Sequence, residues 1–310
     1  MAVLYTLLGL VALVIGAEIM IRGAVALALR FHISPLVIGL TIVAMGTSMP
    51  ELLVSLLAAL KGSPELAVGN VVGSNVINIS FILGASILIF PIEVDREARR
   101  IHWPVMMIVS LVFVLYCWNG LMSRFEGIVF VLLLVLYVVA MIRTSRRKQL
   151  MPGALPTVTH APLWRSTLQL IVGIAALAFG ADRFVEGAVQ LANILGVSDQ
   201  LVGVTIVAVG TSLPELITSL MAAFRKQPDI SLGNLVGSNI FNLLGILGIT
   251  AAISPIPVDL RSFSLDVSAM ILVALILFPL MFWGKKLGRP HGAILFLAYI
   301  VYVYFVIDRG

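Results

Sequence analysis

Glu51 and Glu215 are each the only ionisable residue within a long apolar stretch, 36–59 and 200–223. A charge at the centre of a bilayer costs about 2.5–3.5 kcal/mol even on the lenient insertion scale. Two such costs at matching positions call for a compensating partner. No Lys, Arg or His lies at similar depth in these stretches. The expected partner is therefore a bound cation. The competing reading is a protonated Glu that joins two helices. Pro50 and Pro214 directly precede the acids. A proline inside a helix cannot donate to the carbonyl four residues back, so Gly46 and Gly210 lose their usual donors. A helix broken near the midplane exposes carbonyls and half-helix ends that coordinate ions. A simple proline kink is the plainer alternative.

Hydroxyls and amides surround the acids. Thr47 and Ser48 stand four and three residues before Glu51, nearly on its helix face, and Thr211 and Ser212 repeat this before Glu215. In the following stretches Ser74 and Asn78 are at i, i+4, as are Ser238 and Asn242. Asn70 and Asn234 sit one turn before the serines; Asn75 and Asn239 directly follow them. Any single Asn here could be helix-to-helix glue. Asn78 and Asn242 are the expected ligands because they share a face with the serines. Ser55 and Ser219 read as hydroxyls bonded back to their own helices. Gly69, Gly73, Gly233 and Gly237 are expected to let helices approach closely.

The oxygens select the ion class. Two carboxylates, six hydroxyls, two amide oxygens and freed carbonyls suit a hard cation, and Ca²⁺ takes about 6–8 oxygens. Zinc, copper and iron favour softer ligands. Two ionised Glu balance one Ca²⁺ or two Na⁺, which gives exchange a physical basis: both ions compete for the same carboxylates. The single cysteine, Cys117, excludes an internal disulfide and a Cys-based zinc site. The four histidines lie at no metal-ligand spacing.

The elements that must carry these residues are membrane helices. Hydrophobic residues make up 60% of the 310-residue chain and charged residues 11%, against about 25% charged in a soluble domain. The net charge of +5 does not mark a nucleic-acid binder, because the basic residues sit in short loops between apolar runs. Spanning the hydrocarbon core takes about 20 apolar residues. Ten segments qualify: 2–20, 36–59, 66–90, 103–119, 124–142, 167–183, 200–223, 230–254, 265–283 and 291–308. Continuous apolar runs without alternation point to helices rather than a closed barrel. The run from Ala2 lacks a basic n-region and recurs mid-chain, so it reads as a retained helix and not a signal peptide. Trp103, Trp118 and Trp164 read as interfacial anchors.

The chain repeats itself. Residues 38–84 align with 202–248 at an offset of 164, with 26 of 47 positions identical. The register extends back to Gly16 and Gly23 against Gly180 and Gly187. Five helices per half make the second half start on the opposite side of the membrane, an inverted repeat. The expected organisation is a first repeat over 1–142, a cytoplasmic linker over 143–164 and a second repeat over 165–310. With the N-terminus outside, inner loops hold 15 Lys and Arg and outer loops 5. By the positive-inside rule both termini face out of the cell. Glu18 and Asp182 are repeat equivalents expected near helix ends, where water solvates them or they help gate ion entry.

GTSMPE at 46–51 and GTSLPE at 210–215, each followed by GN-x-x-GSN, resemble the alpha repeats of the calcium/cation antiporter superfamily, most closely its prokaryotic sodium/calcium exchanger branch. The resemblance covers essentially the whole chain. It implies an all-α membrane protein of ten helices in two inverted five-helix repeats. It also implies alternating access in which the first and sixth helices slide across the rest. Carried over by motif position, Glu51 and Glu215 would bind Ca²⁺ and share in Na⁺ binding. Thr47, Ser48, Thr211, Ser212, Ser74 and Ser238 would complete the coordination, with the carbonyls of Ala44 and Ala208. One position departs from the pattern: these exchangers often carry Asp where this chain has Asn242. The linker is too short for a folded regulatory domain.

The expected function is Na⁺/Ca²⁺ antiport in the cell (inner) membrane, with Ca²⁺/H⁺ antiport on the same scaffold as the alternative. Small inorganic cations and the bilayer are the expected partners; no cofactor, nucleic acid or obligate protein partner is expected. An intramembrane enzyme would need paired Asp, Ser–His or clustered His at membrane depth, and the sequence offers none. Carboxylates from both halves favour a gated two-sided site over a passive channel.

Overall fold

A computed structural model of the chain describes residues 1–149, 162–194, 208–282 and 286–309. Most of the expected 143–164 linker, the first part of the 200–223 segment and residue 283 lie outside the described residues. In chain order the helices are α1 (Ala2–Phe31), α2 (Pro35–Ile38), α3 (Ala44–Thr47), α4 (Met49–Leu60), α5 (Pro64–Ile77), α6 (Leu83–Ile89), α7 (Trp103–Tyr116), α8 (Arg124–Gln149), α9 (Leu163–Ile194), α10 (Ala208–Thr211), α11 (Leu213–Phe224), α12 (Pro228–Phe241), α13 (Gly248–Ile253), α14 (Ser264–Phe282) and α15 (Arg289–Arg309). π-helical turns at Gly39–Val43, Asn78–Ile82, Ala98–His102 and Asn242–Leu247 join several of them into longer rods. Among the described residues eight helices are long and apolar enough to cross a membrane; the pair 35–47 and 49–60 would make a ninth.

The chain forms two compact units, residues 1–47 with 139–234 and residues 48–138 with 235–310. The first unit is organised around α1 and α9, which pack antiparallel along a glycine seam. Gly9, Gly16 and Gly23 recur every seven residues on α1, as do Gly173, Gly180 and Gly187 on α9. A methyl group on Gly16 would stand 2.9 Å from the Leu177 backbone nitrogen, and one on Gly180 would stand 2.7 Å from that of Leu13. No side chain fits between these backbones, so only glycine permits the approach. Leu13, Ala17, Met20, Ile21 and Ala24 of α1 build the adjoining core with Leu177 and Ala181 of α9 and Leu213 and Ala222 of α11.

Helix α1 does not stop near residue 20 as expected but continues through Phe31. Glu18 pairs with Arg22 one turn on, so the charges support the helix instead of ending it. Arg30 in the last turn complements the helix dipole. His32 ends the helix in the left-handed conformation (φ 54°), its N–H bonding back to Ala28 and Leu29. Ser34 then caps α2, its Oγ accepting from the Val37 N–H at 3.3 Å. Likewise α9 extends beyond the expected 167–183.

In the second unit the buried rod α5–α6, with its π-turn, packs against α14 and α15. A methyl on Gly84 would stand 2.9 Å from the Phe296 nitrogen of α15. Trp103 is not an interfacial anchor: its indole is buried and donates to the Ala274 carbonyl at 2.8 Å. Trp118 and Trp164 are exposed. The fold is not purely helical. Two-residue strands pair antiparallel, β1 (Ile92–Glu93) with β4 (Lys286–Leu287), and β2 (Leu121–Met122) with β3 (Ile256–Pro257). Each pair clips a loop of the first sequence half to one of the second.

Candidate cation-binding site

Pro50 and Pro214 do not kink continuous helices. The chain breaks at Ser48 and Ser212, and α4 and α11 begin afresh with the prolines in their first turns. That position needs no N–H, so proline is well placed there. Glu51 and Glu215 then fall in the first turn as well, 1% and 0% exposed. The positive end of each half-helix offsets part of the cost of a buried carboxylate, by about 0.3–2 kcal/mol. Both motifs read as a capping box, Ser-x-x-Glu. Neither serine makes the side-chain cap bond. The Ser48 hydroxyl instead lies 3.2 Å from that of Ser238.

The candidate residues divide between the two units. The first holds Ala44, Thr47, Ala208, Thr211, Ser212 and Glu215. There Thr47 Oγ1 sits 3.2 Å from the Ala44 carbonyl and 3.2 Å from Asn234 Oδ1. Asn234 Nδ2 donates to Ser219 Oγ at 3.0 Å. The hydroxyls of Thr211 and Thr218 are buried with no hydrogen-bond partner. Thr218 was not singled out from sequence. Its repeat equivalent is Val54, and that apolar-to-hydroxyl change three residues after the acid was the available signal.

The second unit holds Ser48, Glu51, Ser74, Asn78, Ser238 and Asn242, all buried. Asn70 Nδ2 donates to the Glu51 carbonyl at 3.2 Å and to Ser55 Oγ at 2.9 Å. Ser55 and Ser219 are thus not bonded back to their own helices; each accepts from an asparagine of the next helix. Asn78 and Asn242 each open a π-turn, a local widening that recurs at functional sites. Asn75 Nδ2 donates to the Asn239 carbonyl at 3.3 Å, and Asn239 Nδ2 to the Asn75 carbonyl at 3.1 Å. Asn242 Nδ2 donates to Asn75 Oδ1 at 3.0 Å. Both polar atoms of the Asn78 side chain, and Oδ1 of Asn239 and Asn242, are buried without a hydrogen bond.

Buried amide and hydroxyl groups are nearly always satisfied. Orphaned oxygens of this kind fit a hard cation that takes neutral oxygens. Among the described residues no three His, Cys, Asp or Glu side chains cluster, so neutral oxygens must supply most of any coordination shell. Of the glycines, Gly233 does approach another backbone, with a methyl there 2.6 Å from the Leu36 carbonyl. Gly73 does not: nothing lies within 4 Å of a methyl placed on it.

Glu18 and Asp182 differ in their surroundings. Arg225, just past α11, binds Glu18 through both oxygens, with Nε 2.8 Å from Oε2. Asp182 is paired with its neighbour Arg183.

The family model for the sodium/calcium exchanger protein matches residues 1–143 and 165–307. The putative antiporter CaxA of Alkalimonas amylolytica is 38% identical, covering 98% of each chain. The sodium/calcium exchanger MaX1 of Methanosarcina acetivorans is 31% identical over 97% of each. The inner membrane protein YrbG of Escherichia coli is 37% identical over 96% of this chain and 94% of that one. Among solved structures, the sodium-calcium exchanger NCX_Mj superimposes with a TM-score of 0.84 at 32% identity, covering 98% of this chain and 97% of that one. With its sequence and its fold both matched from end to end, the chain belongs to the sodium/calcium exchanger protein family.

Proposed function

We propose that the chain exchanges Na⁺ for Ca²⁺ across the cell membrane by alternating access. The transported cation is held by Glu51 and Glu215, the hydroxyls of Thr47, Ser48, Ser74, Thr211, Ser212 and Ser238, the amide oxygens of Asn78 and Asn242, and the carbonyls of Ala44 and Ala208. One observation carries this reading: two buried glutamates each occupy the first turn of a restarted helix, in repeats whose serines and asparagines at 48, 74, 78, 212, 238 and 242 are buried too. Membership of the exchanger family makes the chain a membrane cation antiporter, and the names of MaX1 and NCX_Mj favour Na⁺ and Ca²⁺ as the pair. Ten helices in two inverted halves, with both termini outside and the 143–164 linker in the cytoplasm, complete the reading.

The second reading is Ca²⁺/H⁺ antiport. The near-complete burial of both glutamates favours it, because a proton neutralises a carboxylate held away from water as a metal ion does. Calcium uptake into proteoliposomes separates the two. An outward Na⁺ gradient at equal pH should drive uptake. If only an outward proton gradient does so, the coupling ion is H⁺.

A further inference from the structure

We infer that Asn75 is a positioning residue, which turns the Asn242 carboxamide so that its oxygen and not its nitrogen is presented to the cation. The inference deepens the proposed function, since it rests on Asn242 being a ligand.

A chain of hydrogen bonds sets the orientation of these amides. A backbone carbonyl can only accept, so the Asn239 carbonyl fixes which end of the Asn75 amide faces it: Nδ2, at 3.3 Å. A second contact from the same nitrogen reaches Met270 Sδ at 3.7 Å. Asn75 Oδ1 must then face the other way, where it meets Asn242 at 3.0 Å. Only a donor can sit against it, so Asn242 is held with Nδ2 towards Asn75. Its Oδ1, buried and without a hydrogen bond, becomes the free end. An unrestrained carboxamide could present either end, and an NH₂ group repels a cation.

Asn239 mirrors Asn75 at an offset of 164, and Asn78 mirrors Asn242. The Asn75 carbonyl fixes Asn239 Nδ2 at 3.1 Å, which turns Asn239 Oδ1 the other way. Here the last bond is open, with Asn239 Oδ1 and both polar atoms of Asn78 unpartnered. All four side chains are at most 4% exposed, so water does not set their orientation.

The test is a double-mutant cycle on the full-length protein, read as Ca²⁺ uptake by Na⁺-loaded proteoliposomes and as the rise in melting temperature that Ca²⁺ causes in detergent. Asn75→Leu should raise the KM for Ca²⁺ about tenfold with little change in maximal rate, the effect of a mis-set ligand worth about 1.4 kcal/mol. Asn75→Asp keeps an oxygen towards Asn242 and, as the acid, a donor towards the Asn239 carbonyl. It should stay within about threefold of the native KM. In an Asn242→Ala background, Asn75→Leu should add nothing. A native KM in Asn75→Leu, or the same penalty with and without Asn242, overturns the inference. Should Asn75→Leu fail to fold, Asn75→Ser carries the same cycle. A native chain that takes up no Ca²⁺ strikes the proposed function. A native chain stabilised by Ca²⁺, with an additive cycle in the thermal readout, strikes only the positioning role.

Discussion

The α1–α9 pair and the asparagine cluster of α5 and α12 solve opposite problems. The pair is held by backbone set against backbone along two glycine heptads, with no hydrogen bond across the seam needed to explain its closeness. The cluster is held by directional amide bonds. Their surroundings differ to match. Only 33% and 22% of the most apolar windows of α1 and α9 are buried in protein, against 72% and 83% for the spans 64–89 and 228–253. Polar groups are affordable only where protein, not lipid, surrounds them. Helices in lipid gain little from apolar burial and associate through small residues that bring backbones close. The contrast shows why the spans that carry the candidate ligands Ser74, Asn78, Ser238 and Asn242 are more enclosed than α1 and α9, which are built from glycine and aliphatic residues.

The sharpest way to break the contrast is to put a side chain into the seam. Gly180→Leu drives carbon into the α1 backbone at a point where a single methyl already stands 2.7 Å from Leu13 N. Such overpacking costs about 1–3 kcal/mol or more, since backbone cannot yield as a side chain can. The expected outcome is loss of monodisperse protein on size-exclusion chromatography. Gly73→Ala is the matched control in the polar region, where nothing lies within 4 Å. It should purify and transport as the native chain does.

A smaller effect is expected from the polar side of the comparison. Asn234→Leu removes the acceptor for Thr47 and the donor to Ser219. Thr47 keeps its bond to the Ala44 carbonyl, but leaving the buried Ser219 hydroxyl without a partner costs about 1–3 kcal/mol. A lowered melting temperature, with Ca²⁺ still stabilising what remains folded, is the expected result. The smallest effect belongs to Glu18→Gln. The carboxylate is only partly buried, and its partners Arg22 and Arg225 are more than half exposed. Exposed ion pairs contribute about 0.2–1 kcal/mol. The thermal midpoint should fall slightly at low ionic strength and be indistinguishable from native in high salt.

The parts of this design that follow from hydropathy and repetition are legible in the sequence. Glu51 and Glu215 stand out because charge is rare at membrane depth, and the 164-residue offset pairs nearly every oxygen around them. Local geometry is less legible. The prolines read as a break in the helix, but the sequence does not say that Pro50 and Pro214 stand in the first turns of new helices, after serines that make no side-chain cap bond. Trp103 reads as an interfacial anchor, whereas a carbonyl on α14 captures its indole. Charges near residue 20 suggest a helix end, but Glu18 and Arg22 stabilise the turn they share. The asparagines are hardest to read. Each copy of the repeat has three, at 70, 75 and 78 and at 234, 239 and 242, and only the backbone carbonyls of residues 75 and 239 show which amides clasp the neighbouring helix.

The central claim is that the two buried carboxylates hold the transported cation. Ca²⁺ uptake into Na⁺-loaded proteoliposomes, compared for the native chain, Glu51→Gln and Glu215→Gln, tests it most directly. Each amide keeps the shape and removes the charge. Both variants should remain monodisperse and helical, and both should lose uptake by at least about a hundredfold, the equivalent of about 2.7 kcal/mol. Native uptake in either folded variant would contradict the account.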